Sequence, residues 1–217
     1  MTYKQQMEKA IKGYMTQLGF RYDTHQYAYV KKEQEDVVVN ISYATQSGNR
    51  KDYYRLVIYV ELFYNPWNRL LAKLTDGCAN FDSYSMGVIY FPTTLKYTDE
   101  HVTFTSERTM EKNLAEFQKE LEMKVFPIVK KYADKQQLYD ALFTEKDTYL
   151  FNQTKRWFLP IACYMFGDYK KSLSYANKFL EECQENLHRV HDSPGFRNTL
   201  DVYSIYFTNL KNLIHLQ

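Results

Sequence analysis

The stretch Tyr53-Tyr54-Arg55-Leu56-Val57-Ile58-Tyr59-Val60-Glu61-Leu62-Phe63-Tyr64 decides how the chain is to be read. Successive side chains of a strand point to opposite faces, so Tyr54, Leu56, Ile58, Val60 and Leu62 fall on one side and Tyr53, Arg55, Val57, Tyr59, Glu61 and Phe63 on the other. One face is core and the other is mixed aromatic and charged. The run before it, Asp36 to Thr45, repeats the pattern with Val37, Val39, Ile41 and Tyr43 on one side. Polar Gln46-Ser47-Gly48-Asn49 lies between the two, which predicts an antiparallel hairpin. Tyr22 to Lys32 reads as a preceding strand turning through Glu33 to Asp36, and residues 84–91 and 101–105 as weaker strands.

Before these strands the apolar period is helical. Met7, Ile11, Tyr14 and Leu18 recur at steps of four, three and four, and Thr2 with Gln5 makes a capping box. Gly19 supplies a left-handed helix end, with Phe20 placed to fold back on Met15. After the strands, Asn65-Pro66 opens a short helix carrying Trp67, Leu70, Leu71 and Leu74. From Ser106 onward the period is helical again. Met110, Leu114, Phe117, Leu121, Val125 and Ile128 form one stripe, and Pro127 within it predicts a kink or a restart. Asp134 with Gln137 predicts a capped short helix. Further helices run from about Asp147 to Phe166, bent at Pro160, then through Leu173, Ala176, Leu180, Cys183 and Leu187, and finally, after Ser193-Pro194-Gly195, through Leu200, Tyr203, Phe207, Leu210 and Ile214.

The fold class is therefore α+β: an N-terminal helix on a four- or five-stranded, mainly antiparallel sheet over residues 1–105, followed by an all-helical subdomain over 106–217 packed on it. Strand candidates come consecutively rather than alternating with crossover helices, which disfavours a parallel sheet.

Composition narrows the function classes. The chain has 217 residues with 28 Lys and Arg against 26 Asp and Glu, a net charge of +2, and the balance holds in both halves. Nucleic-acid binding needs a basic stripe to neutralise phosphates, and none is present, so no nucleic-acid partner is expected. Three cysteines without a CxxC pair fit reduced thiols in the cytoplasm. No signal peptide is expected in Met1 to Ile11, which carries Lys4, Glu8 and Lys9, and no apolar run reaches the roughly 18 residues of a membrane span. The 21 Tyr, 14 Phe and 2 Trp bring aromatic residues to 17%, while only 7 Gly leave little material for phosphate loops.

The pattern Leu18-Gly19-Phe20-Arg21, then Tyr27-Ala28-Tyr29-Val30-Lys31, and later Val125-Phe126-Pro127-Ile128-Val129 with Gln137-Leu138-Tyr139-Asp140, resembles the bacterial domain-of-unknown-function family 4304 over about residues 1–145. That resemblance implies a small cytoplasmic protein, with an immunity-type partner of another bacterial protein as one role. Ile161 to Leu180 is similar to the turn between paired helices of a tetratricopeptide repeat. A single copy is present, which implies a packing hairpin rather than a solenoid.

Chemical motifs are sparse: there is no GxSxG, HExxH or P-loop. Cys183, Glu185, His188 and His191 lie within one helical stretch, but no distant Cys or His pair completes a zinc tetrahedron, and no metal or cofactor is expected. The strongest remaining signal is the second face of the decisive strand. Tyr and Arg are enriched at interfaces, so Tyr53, Arg55, Tyr59 and Glu61 are the candidate binding residues. The function expected is a non-enzymatic, cytoplasmic protein-binding domain. The alternative is a small-molecule-binding or enzymatic domain with a pocket between sheet and helices. A flat aromatic face would mark the first, and a pocket with convergent polar groups the second.

Overall fold

The computed structural model describes residues 1–47, 50–76, 102–143, 152–189 and 194–216. The order of elements is α1 (Tyr3–Gln17), β1 (Arg21–Asp23), β2 (Ala28–Gln34), β3 (Val37–Ser47), β4 (Tyr53–Tyr64), α2 (Asn65–Leu74), β5 (Val102–Thr105), α3 (Met110–Glu120), a π-helical turn (Leu121–Val125), α4 (Phe126–Ala133), α5 (Lys135–Phe143), α6 (Asn152–Met165), α7 (Tyr169–Arg189) and α8 (Pro194–His215). The strands form one antiparallel sheet in the order β1-β2-β3-β4-β5, as the α+β reading requires.

The expected strand from Tyr22 to Lys32 is instead two strands, β1 and β2, paired with Tyr22 opposite Tyr29. Thr24 to Tyr27 form the turn, without a glycine or proline to announce it. The expected strand at 84–91 lies outside the described residues, as do Gly77 and Cys78.

The chain forms two compact units. The first comprises Met1–Leu62 and the stretch from β5 to Gln137. The helices over 110–133, which periodicity grouped with the C-terminal helices beyond residue 105, belong with the sheet because their buried rings meet it. Phe117 of α3 packs edge-on against Tyr14 of α1 at 6.4 Å and against Phe104 of β5 at 6.3 Å. Met7, Ile11 and Met15 of α1, together with Val37, Val39, Ile41, Leu56, Ile58, Val60 and Leu62 of the sheet, are all but inaccessible to solvent. The capping box at Thr2 and Gln5 is formed. Gly19, at φ +83°, ends α1 as the C′ residue of a Schellman motif, with Gly19 N–H bonded to the Thr16 carbonyl and Phe20 N–H to that of Met15, each at 3.0 Å.

Leu114, expected in the core, is only half-buried; Asn113 is fully buried in its place. Its Nδ2 donates to the Tyr3 hydroxyl at 2.7 Å and to the Thr105 carbonyl at 2.8 Å, fastening α3 to both α1 and β5. These two donated bonds explain a polar residue at this position, although the Asn113 Oδ1 is buried without a partner. Further along, Phe117, Leu121 and Val125 recur at steps of four, which overshoots a 3.6-residue turn. The π-helical turn absorbs the overshoot, with Phe126 N–H reaching back to the Leu121 carbonyl. Pro127 follows in the first turn of α4, where its missing N–H removes least.

The second unit comprises Phe63 through α2 and the helices from Leu138 onward, with α6 against α7, α7 against α8, and α2 against both α6 and α8. The turn between α6 and α7 is a second Schellman end. Gly167 has φ +78°, Asp168 N–H bonds the Cys163 carbonyl at 2.8 Å, and the Asp168 carboxylate caps α7 by accepting from Lys171 N–H at 3.2 Å. Buried Ser172 and Ala176 are small enough for α7 to approach α6, and Ser172 Oγ donates to the Pro160 carbonyl at 2.7 Å.

Candidate functional site

The site begins at the β1–β2 turn. The Asp23 carboxylate accepts from the N–H groups of His25 at 2.8 Å and Gln26 at 3.1 Å, and these bonds hold its pKa below the usual carboxylate value. Gln26 in turn accepts from Asn40 Nδ2 at 2.5 Å, tying the turn to β3. The next residue, Tyr27, is held at φ +51° with its ring 75% exposed. A bulky non-glycine residue in the left-handed region is strained by about 1 kcal/mol or more.

Beyond the turn, register decides which rings meet. Tyr22 opposite Tyr29 brings their centroids to 5.1 Å; Tyr29 opposite Ile41 places its ring near-parallel to Tyr43 at 6.4 Å. These tyrosines share the face of the sheet that α1 covers. Burial along β3 fades from Val37, Val39 and Ile41 to half-buried Tyr43 and Thr45, because the strand continues past the apolar stripe of the helix. The polar flank of α1, with Glu8, Lys9 and Lys12, overhangs what is left. The result is a cavity of about 490 Å³ with Tyr22, Tyr27, Tyr29, Tyr43 and Thr45 on the sheet side. That volume suits a small organic molecule. A second groove of about 420 Å³ along α1, lined by Gln6, Lys9, Ala10, Gly13, Tyr14 and Leu114 among others, is more open and gathers fewer polar groups.

The floor of the cavity is a pair of coupled phenols. The Tyr29 and Tyr43 hydroxyls are hydrogen-bonded to each other; burial pushes Tyr29 up to about 12, and burial first, then the proximity of Tyr29 and Glu8, drives Tyr43 higher still. Both are neutral donors at any physiological pH. An acid whose folded pKa lies above its unfolded value of about 10 contributes its full share of stability below pH 10 and loses it as pH rises through the folded value. The unit should therefore hold its stability to about pH 10 and lose it between 10 and 12, with the tyrosinate absorbance of these residues appearing only on unfolding. Ionisation of every tyrosine near pH 10 with the fold intact would contradict the buried pair.

The four residues expected to bind lie together on the outer side of β4, apart from this cavity. Arg55 is exposed with its guanidinium 6.0 Å from the Tyr53 ring, while Tyr53, Tyr59 and Glu61 are half-buried. Val57 and Phe63, on the same side, are buried, so the face is interrupted rather than a continuous exposed aromatic surface. Sequence reasoning missed the pocket tyrosines although Tyr27-Ala28-Tyr29 and Tyr43 carried the right alternation. What joined them was cross-strand register and the hairpin at Thr24 to Tyr27.

In the second unit Cys183 is buried and Glu185 exposed; His191 and the side chain of His188 lie outside the described residues. Among the described residues no group of three or more His, Cys, Asp or Glu is placed to hold a metal ion. Cys163 is buried and accepts a hydrogen bond from Tyr139; burial pushes its thiol up to about 11, which makes it a packing residue rather than a nucleophile. Among the described residues no helix is long and apolar enough to cross a membrane.

No family model, curated protein or solved structure matches the chain. What the cavity can do follows from its own side chains.

Proposed function

We propose that the chain is a non-enzymatic binding domain for a small, ring-containing molecule, held in the tyrosine cavity between α1 and the sheet. The observation that carries this is Tyr27. Its ring stands 75% exposed at the mouth of a cavity on a left-handed backbone, beside Tyr22, which is 38% exposed. Neither packing nor turn chemistry calls for tyrosine there, since Asn or Gly would adopt the same conformation with less strain. Strain kept at the rim of a cavity is an arrangement that function explains. Two accessible rings beside buried Tyr29 and half-buried Tyr43 give a flat ligand an aromatic surface with hydroxyl donors at its edge.

Tyr27→Asn separates this from a structural role. Stability should stay level or rise by a few tenths of a kcal/mol as the strain is relieved, while affinity for a ring compound falls roughly tenfold, since stacking one ring contributes about 1–3 kcal/mol. Adenosine and 2-naphthamide, titrated by amide-resolved NMR, are suitable probes. Wild-type shifts should centre on Glu8, Lys12, Tyr22, Tyr27, Tyr29 and Tyr43. A destabilised Tyr27→Asn, or binding unchanged in it, would show that Tyr27 serves the turn alone.

A further inference from the structure

Resting on that reading of the cavity, we infer that its ligand is an anion: a planar ring bearing a phosphate or carboxylate, the acid group held by Lys9 and Lys12 and the ring lying on Tyr22 and Tyr27. The two lysines lie three residues apart on α1 and both line the cavity, Lys9 from the ridge that also borders the second groove. Neither has a carboxylate partner among the described residues. Glu8, the acid among the lining residues, is already offset by Lys4 at 3.8 Å. The wall opposite the tyrosines therefore carries a surplus of positive charge inside a concavity, where low-dielectric surroundings strengthen its pull on an anion.

The floor agrees with the wall. Tyr29 and Tyr43 share one hydrogen bond, which uses one of their two hydroxyl hydrogens and leaves the other for an acceptor outside the pair. A buried O–H in this position is completed by an acceptor. Lysine ammoniums above and a phenol donor below thus present donors from two sides, while the rings leave space between them for a flat body. A neutral ring would leave the two ammoniums unused; a cationic one would be repelled by them.

The test uses the intact chain at low ionic strength and two matched pairs of probes: adenosine 5′-monophosphate with adenosine, and 2-naphthoate with 2-naphthamide. Affinities are read by NMR titration on the pocket amides. In at least one pair the acid should bind roughly tenfold or more tightly than its neutral partner, and the pair that shows the larger advantage identifies the acid group. The advantage should vanish in Lys9→Gln/Lys12→Gln with the neutral probe binding as before, shrink with added salt, and grow a few-fold in Glu8→Gln. These lysines are exposed, so the double variant should melt as the wild type does. Neutral probes binding as tightly as the acids would overturn the anion and leave the cavity as a ring-binding site. If no probe of either pair perturbed the pocket amides, the cavity reading and the anion would fall together. An acid advantage that survived Lys9→Gln/Lys12→Gln would place the anion on other residues and overturn the assignment.

Discussion

Phe117→Ala is expected to destabilise the first unit by about 3–5 kcal/mol, the usual cost of deleting a fully buried phenylalanine whose surroundings relax little. The ring is 1% exposed and touches both neighbours edge-on, Tyr14 of α1 from one side and Phe104 of β5 from the other. Removing it empties a place where α1, α3 and the sheet meet. Collapse is resisted on each side by a hydrogen bond. Asn113 holds α3 to Thr105 and Tyr3, and the Tyr14 hydroxyl donates to Glu122 Oε1 of the π-helical turn at 3.0 Å. Phe117→Leu, which keeps much of the volume, should lose less than half as much. Denaturant melts of the two variants check this, and a Phe117→Ala midpoint unchanged within error would mean that the ring does not join these elements.

The second large effect lies in α6. Pro160 sits inside that helix and has no N–H to give the Arg156 carbonyl four residues earlier, which leaves a helical acceptor without its ordinary donor. Tyr203 of α8 supplies the missing bond, its hydroxyl reaching the Arg156 carbonyl at 3.1 Å, and the Tyr206 hydroxyl donates to the next carbonyl, that of Trp157, at 3.1 Å. Both rings are essentially inaccessible and pack on Trp157 at 4.9 and 5.6 Å. Tyr203→Phe should therefore cost about 1–3 kcal/mol, because it leaves a part-buried backbone carbonyl without a protein donor. The cause is separable from simple loss of a hydroxyl. In a Pro160→Ala background the alanine N–H can serve Arg156, so the same Tyr203→Phe change should cost about 1 kcal/mol less. Equal costs in the two backgrounds would show that the proline and the tyrosine are not linked.

How much of this was legible beforehand differs from element to element. With the expected start of α6 at about Asp147 lying outside the described residues, the C-terminal ends of α1 and α6, the cap at Asp134 and the alternation of β3 and β4 were read correctly because each depends on residues within about five positions: a glycine free to take a left-handed φ, a side-chain oxygen three residues before an N–H, or side chains two apart on a pleat. Such signals survive in a linear string. The turn at Thr24 to Tyr27 did not, since it is held by the Asp23 carboxylate and by Gln26 bonded to Asn40 on another strand, with no Gly or Pro to mark it.

The same division separates the expected site from the one found. Sequence alone determined that Tyr53, Arg55, Tyr59 and Glu61 share a face, which is a property of one strand. Whether that face is open was set by packing, and Val57 and Phe63 within it are buried. The choice of Asn113 over Leu114 for the core was likewise made by what stood opposite, a carbonyl of β5 and a hydroxyl of α1, rather than by helical period. The cavity belongs wholly to tertiary structure. Tyr22, Tyr29 and Tyr43 sit on three strands and meet only through register, and Lys9 and Lys12 join them in lining the cavity only through the placement of α1 on the sheet. A strand's own alternation fixes which way a side chain points, but the partner it meets depends on pairing and helix placement, which the burial of the whole core selects.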